Sequence, residues 1–138
     1  MTHNVNTKFL EGLAFESEIG NHKLIMDAYP EVGGQDRGVS PKKMLLSSLA
    51  GCTGIDVVSL LKKMRADFST FDINIEGDLT EEHPKHYGVI RMKYIFTGVD
   101  DSNKAKVEKA VNLSKERYCG VSEMLGKSAK IIYDIEYR

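Results

Sequence analysis

The segment from Pro41 to about Ala66 has the longest helical pattern in the sequence, and it constrains the fold more than any other feature. Ser40 and Pro41 open the pattern as a preferred N-cap and a preferred first helical residue. Apolar residues then recur at the three- and four-residue spacing of one helix face. At about 100° per residue, the predicted apolar stripe is centred on Leu46, Ala50, Val57, Leu61 and Met64. The pattern therefore predicts a long central helix that packs one face into a core.

Four extended runs flank this helix and are predicted to pair as hairpins. Before the helix, Gly12–Glu18 and His22–Ala28 alternate apolar with polar residues on either side of a Gly-Asn turn. After it, residues 71–75 and 90–94 alternate in the same way, with the turn-rich segment Glu81–Lys85 between them. Because hairpin connections join antiparallel strands, both pairs are predicted to be antiparallel.

The C-terminal third is predicted to contain two helices and a strand. A half-exposed helix is expected over Asn103–Tyr118 and ends at Cys119. A short helix over Val121–Leu125 and a final strand over Ala129–Tyr137 follow. This order indicates an α+β fold, with antiparallel β-hairpins packed around the long cysteine-bearing helix, in a single domain spanning residues 1–138.

Charge and composition exclude several function classes. The chain has 19 Lys and Arg against 20 Asp and Glu, so it lacks the basic surface that nucleic acid or an anionic membrane would require. No apolar run approaches the ~20 residues of a membrane-spanning helix, and the first residues do not resemble a signal peptide. Two cysteines cannot form the disulfide framework of a small secreted domain. We therefore expect a cytoplasmic protein with free thiols.

Cys52 lies in the middle of the central helix, within a run of small residues from Ser47 to Gly54. Each glycine inside a helix costs about 1 kcal/mol relative to alanine, so either tight helix packing or access to the thiol must compensate. Helical geometry places Cys52 off the apolar stripe, on a mixed face that it shares with Asp56. This position is compatible with a small buried residue and with a reactive thiol.

A reactive role for Cys52 requires a cation near its sulfur. The thiolate is the nucleophilic form of cysteine, and a nearby positive charge favours it. The middle of a helix supplies no N-terminal dipole, and Asp56, one turn away, is an acid. The cation must therefore come from another part of the fold or from a second subunit.

Two other clusters are interpreted as ordinary loops. His83 and His86 flank Pro84 in a predicted turn, where they share no helical face and have no thiol ligand nearby in the sequence, so a metal site is not expected there. The glycine-rich segment from Gly33 to Gly38 matches neither of the two common phosphate-binding motifs.

Two motifs in this sequence strongly resemble the OsmC/Ohr family of osmotically inducible and organic hydroperoxide resistance proteins. The first runs from Ser40 to Lys63 and contains Cys-Thr-Gly-Ile-Asp at Cys52. The second is Glu-Arg-Tyr-Cys-Gly-Val-Ser at Cys119, 67 positions after Cys52. The likeness to the YhfA-like branch of that family extends along nearly the whole chain. The resemblance implies an intertwined homodimer with two active sites at the subunit interface.

The resemblance also implies a thiol-dependent peroxidase that reduces small organic hydroperoxides in oxidative stress defence. In such an enzyme Cys52 would be the peroxidatic cysteine, which becomes a sulfenic acid, and Cys119 would be the resolving cysteine, which forms a disulfide with it. A dithiol reductant of the lipoyl type would restore the thiols. The resemblance implies no metal, flavin or haem cofactor.

One position departs from the family pattern. Peroxidase members have a glutamate ten residues before the reactive cysteine, where it orients an arginine against the thiolate, and this chain has Lys42 there. Arg37 is the only arginine before Cys52; it is the candidate thiolate partner, and its alternative role is that of an exposed loop cation. Lys42 also motivates a second hypothesis, a non-catalytic or weakly catalytic stress-associated protein that binds a small hydrophobic ligand at the dimer interface.

Overall fold

Every residue from Met1 to Arg138 is described by the computed structural model, in which the chain divides into two units. The first unit comprises Met1–Leu45, and the second comprises Leu46–Arg138. The division falls within the first turns of the long helix. The single domain expected from the sequence stays a prediction.

The first unit is built on an antiparallel sheet of three strands, β1 (Asn6–Phe9), β2 (Phe15–Ile19) and β3 (His22–Met26). The predicted hairpin is confirmed as β2 and β3, and its turn contains Gly20 with a φ of 60°, which glycine adopts readily. β1 was not predicted from the sequence, because all four of its residues are exposed and show no alternation of buried and exposed positions.

The long helix α1 spans Pro41–Lys63 and ends slightly before the predicted boundary at Ala66. Its fully buried residues are four positions apart; they are Leu49, Thr53, Val57 and Leu61. The buried stripe is thus rotated relative to the predicted one, and Leu46 and Ala50 are only half-buried. The reason is that hydrogen-bond partners allow Thr53 to occupy a core position, which a pattern of apolar residues alone does not reveal.

By length and composition alone, α1 is also apolar enough to cross a membrane. This corrects the expectation that no apolar segment is long enough to span a membrane. The Ser, Gly and Thr residues of α1 interrupt its apolar runs but lower its mean hydropathy only slightly. The core helix of a soluble protein meets the same criteria. Leu49, Val57 and Leu61 belong to the core of the second unit together with strand residues such as Ile90 and Phe96.

A second three-stranded sheet consists of β4 (Thr70–Leu79), β5 (Tyr87–Thr97) and β6 (Lys130–Tyr137), with β5 in the middle. The second predicted hairpin is confirmed as the antiparallel pair of β4 and β5. β6, however, lies parallel to β5, whereas the sequence predicted only antiparallel hairpins. The parallel pairing is possible because the connection from β5 to β6 contains helices and is long enough for a crossover.

That connection contains α2 (Lys104–Leu113), a π-helical segment (Ser114–Tyr118) and α3 (Gly120–Leu125). The helix predicted over Asn103–Tyr118 is therefore α-helical in its first part and widens into a π-helical turn before Cys119. Alternate residues of β5 are buried; they are Ile90, Met92, Tyr94 and Phe96. They pack in one cluster with the buried residues of α1 and α2. The predicted α+β class with a long helix is confirmed.

Candidate functional site

Cys52, Asp56 and Cys119 bring their reactive atoms together in the second unit. The two Sγ atoms and one carboxylate oxygen of Asp56 all lie within 4.8 Å of one another. Both cysteines are free thiols. The two cysteines that stand 67 positions apart in the sequence are therefore neighbours in the fold.

Two elements position these three groups. Asp56 follows Cys52 by four residues on α1, so that both side chains lie on one face of the helix. Cys119 follows the π-helical segment, and its backbone N–H donates to the Ser114 carbonyl at 2.8 Å. This bond spans five residues, one more than an α-helical bond, and after it the backbone of Cys119 is extended. Single π-helical turns of this kind are frequent at functional sites.

A chain of hydroxyl groups ends at the Asp56 carboxylate. The Ser114 hydroxyl donates to Asp56 Oδ2 at 3.0 Å, and the Thr53 hydroxyl lies 2.8 Å from that of Ser114 and 2.7 Å from that of Tyr94. Each hydroxyl has one proton to donate. Because the proton of Ser114 is directed to Asp56, Ser114 accepts from Thr53, and Thr53 accepts from Tyr94. The hydrogen bonds therefore all point toward the carboxylate.

Burial keeps this hydroxyl chain in place. Thr53, Tyr94 and Ser114 are each no more than 1% exposed, and no buried side-chain polar atom of the chain lacks a hydrogen-bond partner. Burial raises the pKa of Tyr94 to about 12, so that it remains a proton donor at neutral pH. Hydrogen bonds in such an environment are strong, and a fully paired network is rigid. The network therefore orients Asp56 beside the two thiols.

The two thiols differ in exposure and acidity. Cys52 is half-buried, whereas Cys119 is 3% exposed. Burial, together with the neighbouring Cys52 thiol, raises the pKa of Cys119 to about 11. The backbone N–H of Ser122 donates to the Cys119 sulfur at 3.3 Å and offsets part of this rise. At neutral pH Cys119 is therefore protonated, and Cys52 is the more accessible sulfur.

The charged group next to the sulfurs is an acid. None of the ion pairs in the chain includes Asp56. Lys115 follows Ser114 in the sequence, but its ammonium group donates to the carbonyl of Ile131 at 2.8 Å and lies over the Tyr133 ring. Burial lowers the pKa of Lys115. This lysine is therefore engaged with β6, and the cation that a reactive thiolate needs is not supplied by it.

Arg37 and Lys42 both belong to the first unit. The guanidinium of Arg37 pairs with the carboxylate of Glu11 at 3.0 Å, and Lys42 is exposed in the first turn of α1. The carboxylate beside the thiols comes from Asp56, four residues after Cys52, and not from the position ten residues before it. The role of Arg37 as thiolate partner stays a prediction.

An open groove of about 800 Å³ lies along α1 beside β4. Its lining includes the small residues Ala50, Gly51 and Gly54, and also Ile55, whose exposed fraction is 73%. A Cβ atom added at Gly51 would meet no other atom within 4 Å. Tight packing inside this chain therefore does not explain Gly51, and the small residues leave room for a group from outside the chain.

Sequence reasoning missed Thr53, Tyr94 and Ser114 as parts of the site. Thr53 carries a usable signal, because a polar residue that lies four positions from both Leu49 and Val57 falls in a buried stripe and needs hydrogen-bond partners there. Tyr94 lies on the inward face of a predicted strand and is an obvious candidate partner. Ser114 has no such signal, since its position depends on the π-helical turn.

Replacing Thr53 by valine is expected to lower the free energy of unfolding by about 1–3 kcal/mol, because the buried Tyr94 hydroxyl loses its partner. Tyr94→Phe should then destabilise the Thr53→Val protein less than it destabilises the wild type, since both partners of the bond are gone. Urea unfolding of the four proteins in this double-mutant cycle measures both effects. Strictly additive costs would contradict the hydroxyl chain.

The chain matches known proteins over most of its length. The family described as OsmC-like protein matches residues 33–134. Protein YhfA of Escherichia coli strain K12 is 37% identical over 130 residues, which cover 94% of this chain and 93% of that protein. The relationship therefore includes both cysteine-containing segments.

Two solved structures show the same fold. A hypothetical protein from Aquifex aeolicus VF5 superposes with a TM-score of 0.83 at 29% identity, covering 100% of this chain and 98% of the other. The organic hydroperoxide resistance protein OsmC from Legionella pneumophila superposes with a TM-score of 0.70 at 16% identity, covering 99% of this chain and 97% of the other. The family match and the 37% sequence identity to YhfA show that this chain belongs to the OsmC-like protein family.

Proposed function

We propose that this protein is a thiol-dependent peroxidase for small organic hydroperoxides, with Cys52 as peroxidatic and Cys119 as resolving cysteine. The observation that carries the proposal is the proximity of the two sulfurs, which lie within 4.8 Å of each other. Cys52 is half-buried and Cys119 is buried, so a substrate reaches Cys52 more easily. The Legionella pneumophila relative, an organic hydroperoxide resistance protein, supports the substrate class.

In the first step the Cys52 thiolate attacks the hydroperoxide oxygen. A bond forms between Sγ and that oxygen while the O–O bond breaks, and the departing alkoxide takes a proton and leaves as the alcohol. The sulfur is oxidised by two electrons to a sulfenic acid, and the hydroperoxide is reduced by two electrons.

In the second step Cys119 attacks the sulfur of the sulfenic acid. The S–S bond forms, the S–O bond of Cys52 breaks, and the hydroxide leaves as water with the proton of the Cys119 thiol. The raised pKa of Cys119 supports this order, because a protonated thiol does not compete with Cys52 for the hydroperoxide.

A dithiol completes the cycle by exchange with the disulfide and is itself oxidised to a disulfide. The resemblance to the OsmC/Ohr family favours a lipoyl-type dithiol as this reductant. Two free thiols at the site also favour a cytoplasmic protein, since the reducing pools of that compartment keep cysteines reduced.

Cumene hydroperoxide, added in one equivalent to the reduced protein, is expected to convert both thiols to an intramolecular disulfide. The disulfide form escapes the alkylating quench, so its intact mass should be that of the unalkylated reduced chain less two hydrogens. Cys52→Ser should abolish this reaction, because no peroxidatic sulfur remains. Cys119→Ala should stop at sulfenic or over-oxidised Cys52, because no resolving thiol remains.

Free cysteine in the same buffer is the control for unselective oxidation. Normal turnover by Cys119→Ala would show that the resolving role is wrong. If the protein oxidises no faster than free cysteine, the peroxidase proposal fails, and the second candidate function is favoured: a non-catalytic or weakly catalytic stress-associated protein that binds a small hydrophobic ligand. The apolar groove along α1 is the observation that supports this alternative.

The second part of the proposal is that Arg37, reaching across a subunit interface, provides the cation for the Cys52 thiolate. A guanidinium is charged at every relevant pH and can donate two hydrogen bonds at once. Arg37→Ala should slow the alkylation of Cys52 by iodoacetamide about tenfold at neutral pH and move its rate profile to higher pH. Arg37→Lys retains the charge and should retain part of the rate. An unchanged profile in Arg37→Ala would eliminate the role.

The third part of the proposal is a homodimer in which a second copy covers the groove along α1. The exposed Ile55 and the small residues beside it support such a contact. Ile55→Asp should give monomers at concentrations where the wild type is dimeric, because an unpaired carboxylate is costly to bury. Sedimentation velocity measures this, with Ile132→Asp on β6 as the matched control, since Ile132 is another exposed isoleucine, at 43%. Persistence of the dimer in Ile55→Asp would show that another surface forms it.

A further inference from the structure

The Asp56 carboxylate is left unexplained by the peroxidase proposal. It lies within 4.8 Å of both sulfurs, and the Ser114 hydroxyl holds it there. A carboxylate beside two thiols opposes the formation of further negative charge, whereas peroxide reduction requires a thiolate. Two thiols and a carboxylate are instead a ligand set that divalent cations accept.

We propose that the reduced Cys52 and Cys119, together with Asp56, bind one thiophilic divalent cation such as Zn²⁺. Zinc binds sulfur at about 2.3 Å and carboxylate oxygen at about 2.0–2.2 Å, which puts ligand atoms of a tetrahedral site roughly 3.5–3.8 Å apart. The three atoms already lie within 4.8 Å of one another, so closing around the ion needs shifts of only about 1 Å. Binding releases the two thiol protons to solvent.

Neighbouring groups already orient two of the three ligands. Ser114 donates to Oδ2 of Asp56 and leaves the other carboxylate oxygen available, and Ser114 is itself held by Thr53. The backbone N–H of Ser122 donates to the sulfur of Cys119. Hydrogen bonds to ligating carboxylates and thiolates are a general feature of protein metal sites, where they fix the orientation of the ligands.

The ligand set indicates both the metal and its coordination. Thiolates favour zinc and similar soft ions over magnesium and calcium. Three protein ligands leave the fourth tetrahedral position to water or to another exchangeable ligand. Cys52 is half-buried, so the ion has a route to the site. The inference requires only that the thiols are reduced, and it does not rest on the peroxidase activity.

The test is a titration of metal-free, reduced protein with Co²⁺, followed by displacement with Zn²⁺. We expect one Co²⁺ per chain, with sulfur-to-cobalt charge-transfer absorption and the d–d bands of a tetrahedral site. Cys52→Ser and Cys119→Ser should each reduce the charge-transfer absorption and weaken binding. Asp56→Asn should weaken Zn²⁺ binding at least tenfold. Asp67→Asn, which changes an exposed carboxylate after α1, should leave binding unchanged.

The disulfide form of the unaltered chain, prepared with diamide, is a control that needs no substitution and should bind no Co²⁺ through sulfur. Equal binding by the oxidised and reduced forms, cobalt bands without sulfur charge transfer, or equal affinities of Asp56→Asn and Asp67→Asn would each overturn the inference. Normal disulfide formation with cumene hydroperoxide but no zinc binding would overturn the metal site alone. Zinc binding without peroxide reactivity would support the metal site while the peroxidase proposal fails.

Discussion

The buried hydroxyl of Thr53 is the contact on which the site in the second unit depends. It joins α1 to β5 through Tyr94 and to the π-helical segment through Ser114. A hydroxyl in an apolar core is costly unless it is hydrogen-bonded, so α1 must adopt the rotation at which both partners are within reach. That rotation sets the position of Cys52, the residue before Thr53. The position of Ser114 in turn sets where the helix ends at Cys119, and the two sulfurs meet for this reason.

The same proximity suits two kinds of chemistry, and the redox state of the sulfurs separates them. A disulfide removes both thiolates from metal coordination, and a bound cation occupies both sulfurs and keeps them from a hydroperoxide. Asp56 favours the cation-bound state, since it adds a negative charge where a cation would bind. The balance between the two states depends on how much positive charge lies near Cys52.

Local patterns in the sequence were sufficient for the helices, both hairpins and the α+β class, because periodicity and turn residues are properties of single segments. The rotation of α1 was not predictable in the same way, since the two partners of Thr53 are 41 and 61 residues away. The parallel pairing of β6 with β5 also depends on packing between distant segments.

Cys52 and Cys119 were identified by resemblance, and a separation of 67 positions says nothing about their distance in space. Asp56 was expected on the face of Cys52, but its hydrogen bond to Ser114 requires the π-helical turn, for which the sequence offers no simple signal.

The π-helical turn also limits where this chain tolerates insertions and deletions. Each residue added to or removed from a helix rotates everything that follows by about 100°, so a change of one residue between Ser114 and Cys119 would turn the second thiol away from the first. The tip of the hairpin between β4 and β5 is free of this constraint, because residues 81–86 are all exposed and an added residue there only lengthens a loop. Among relatives of this protein, we expect differences in length to accumulate at that tip and to be absent from the five residues ahead of Cys119.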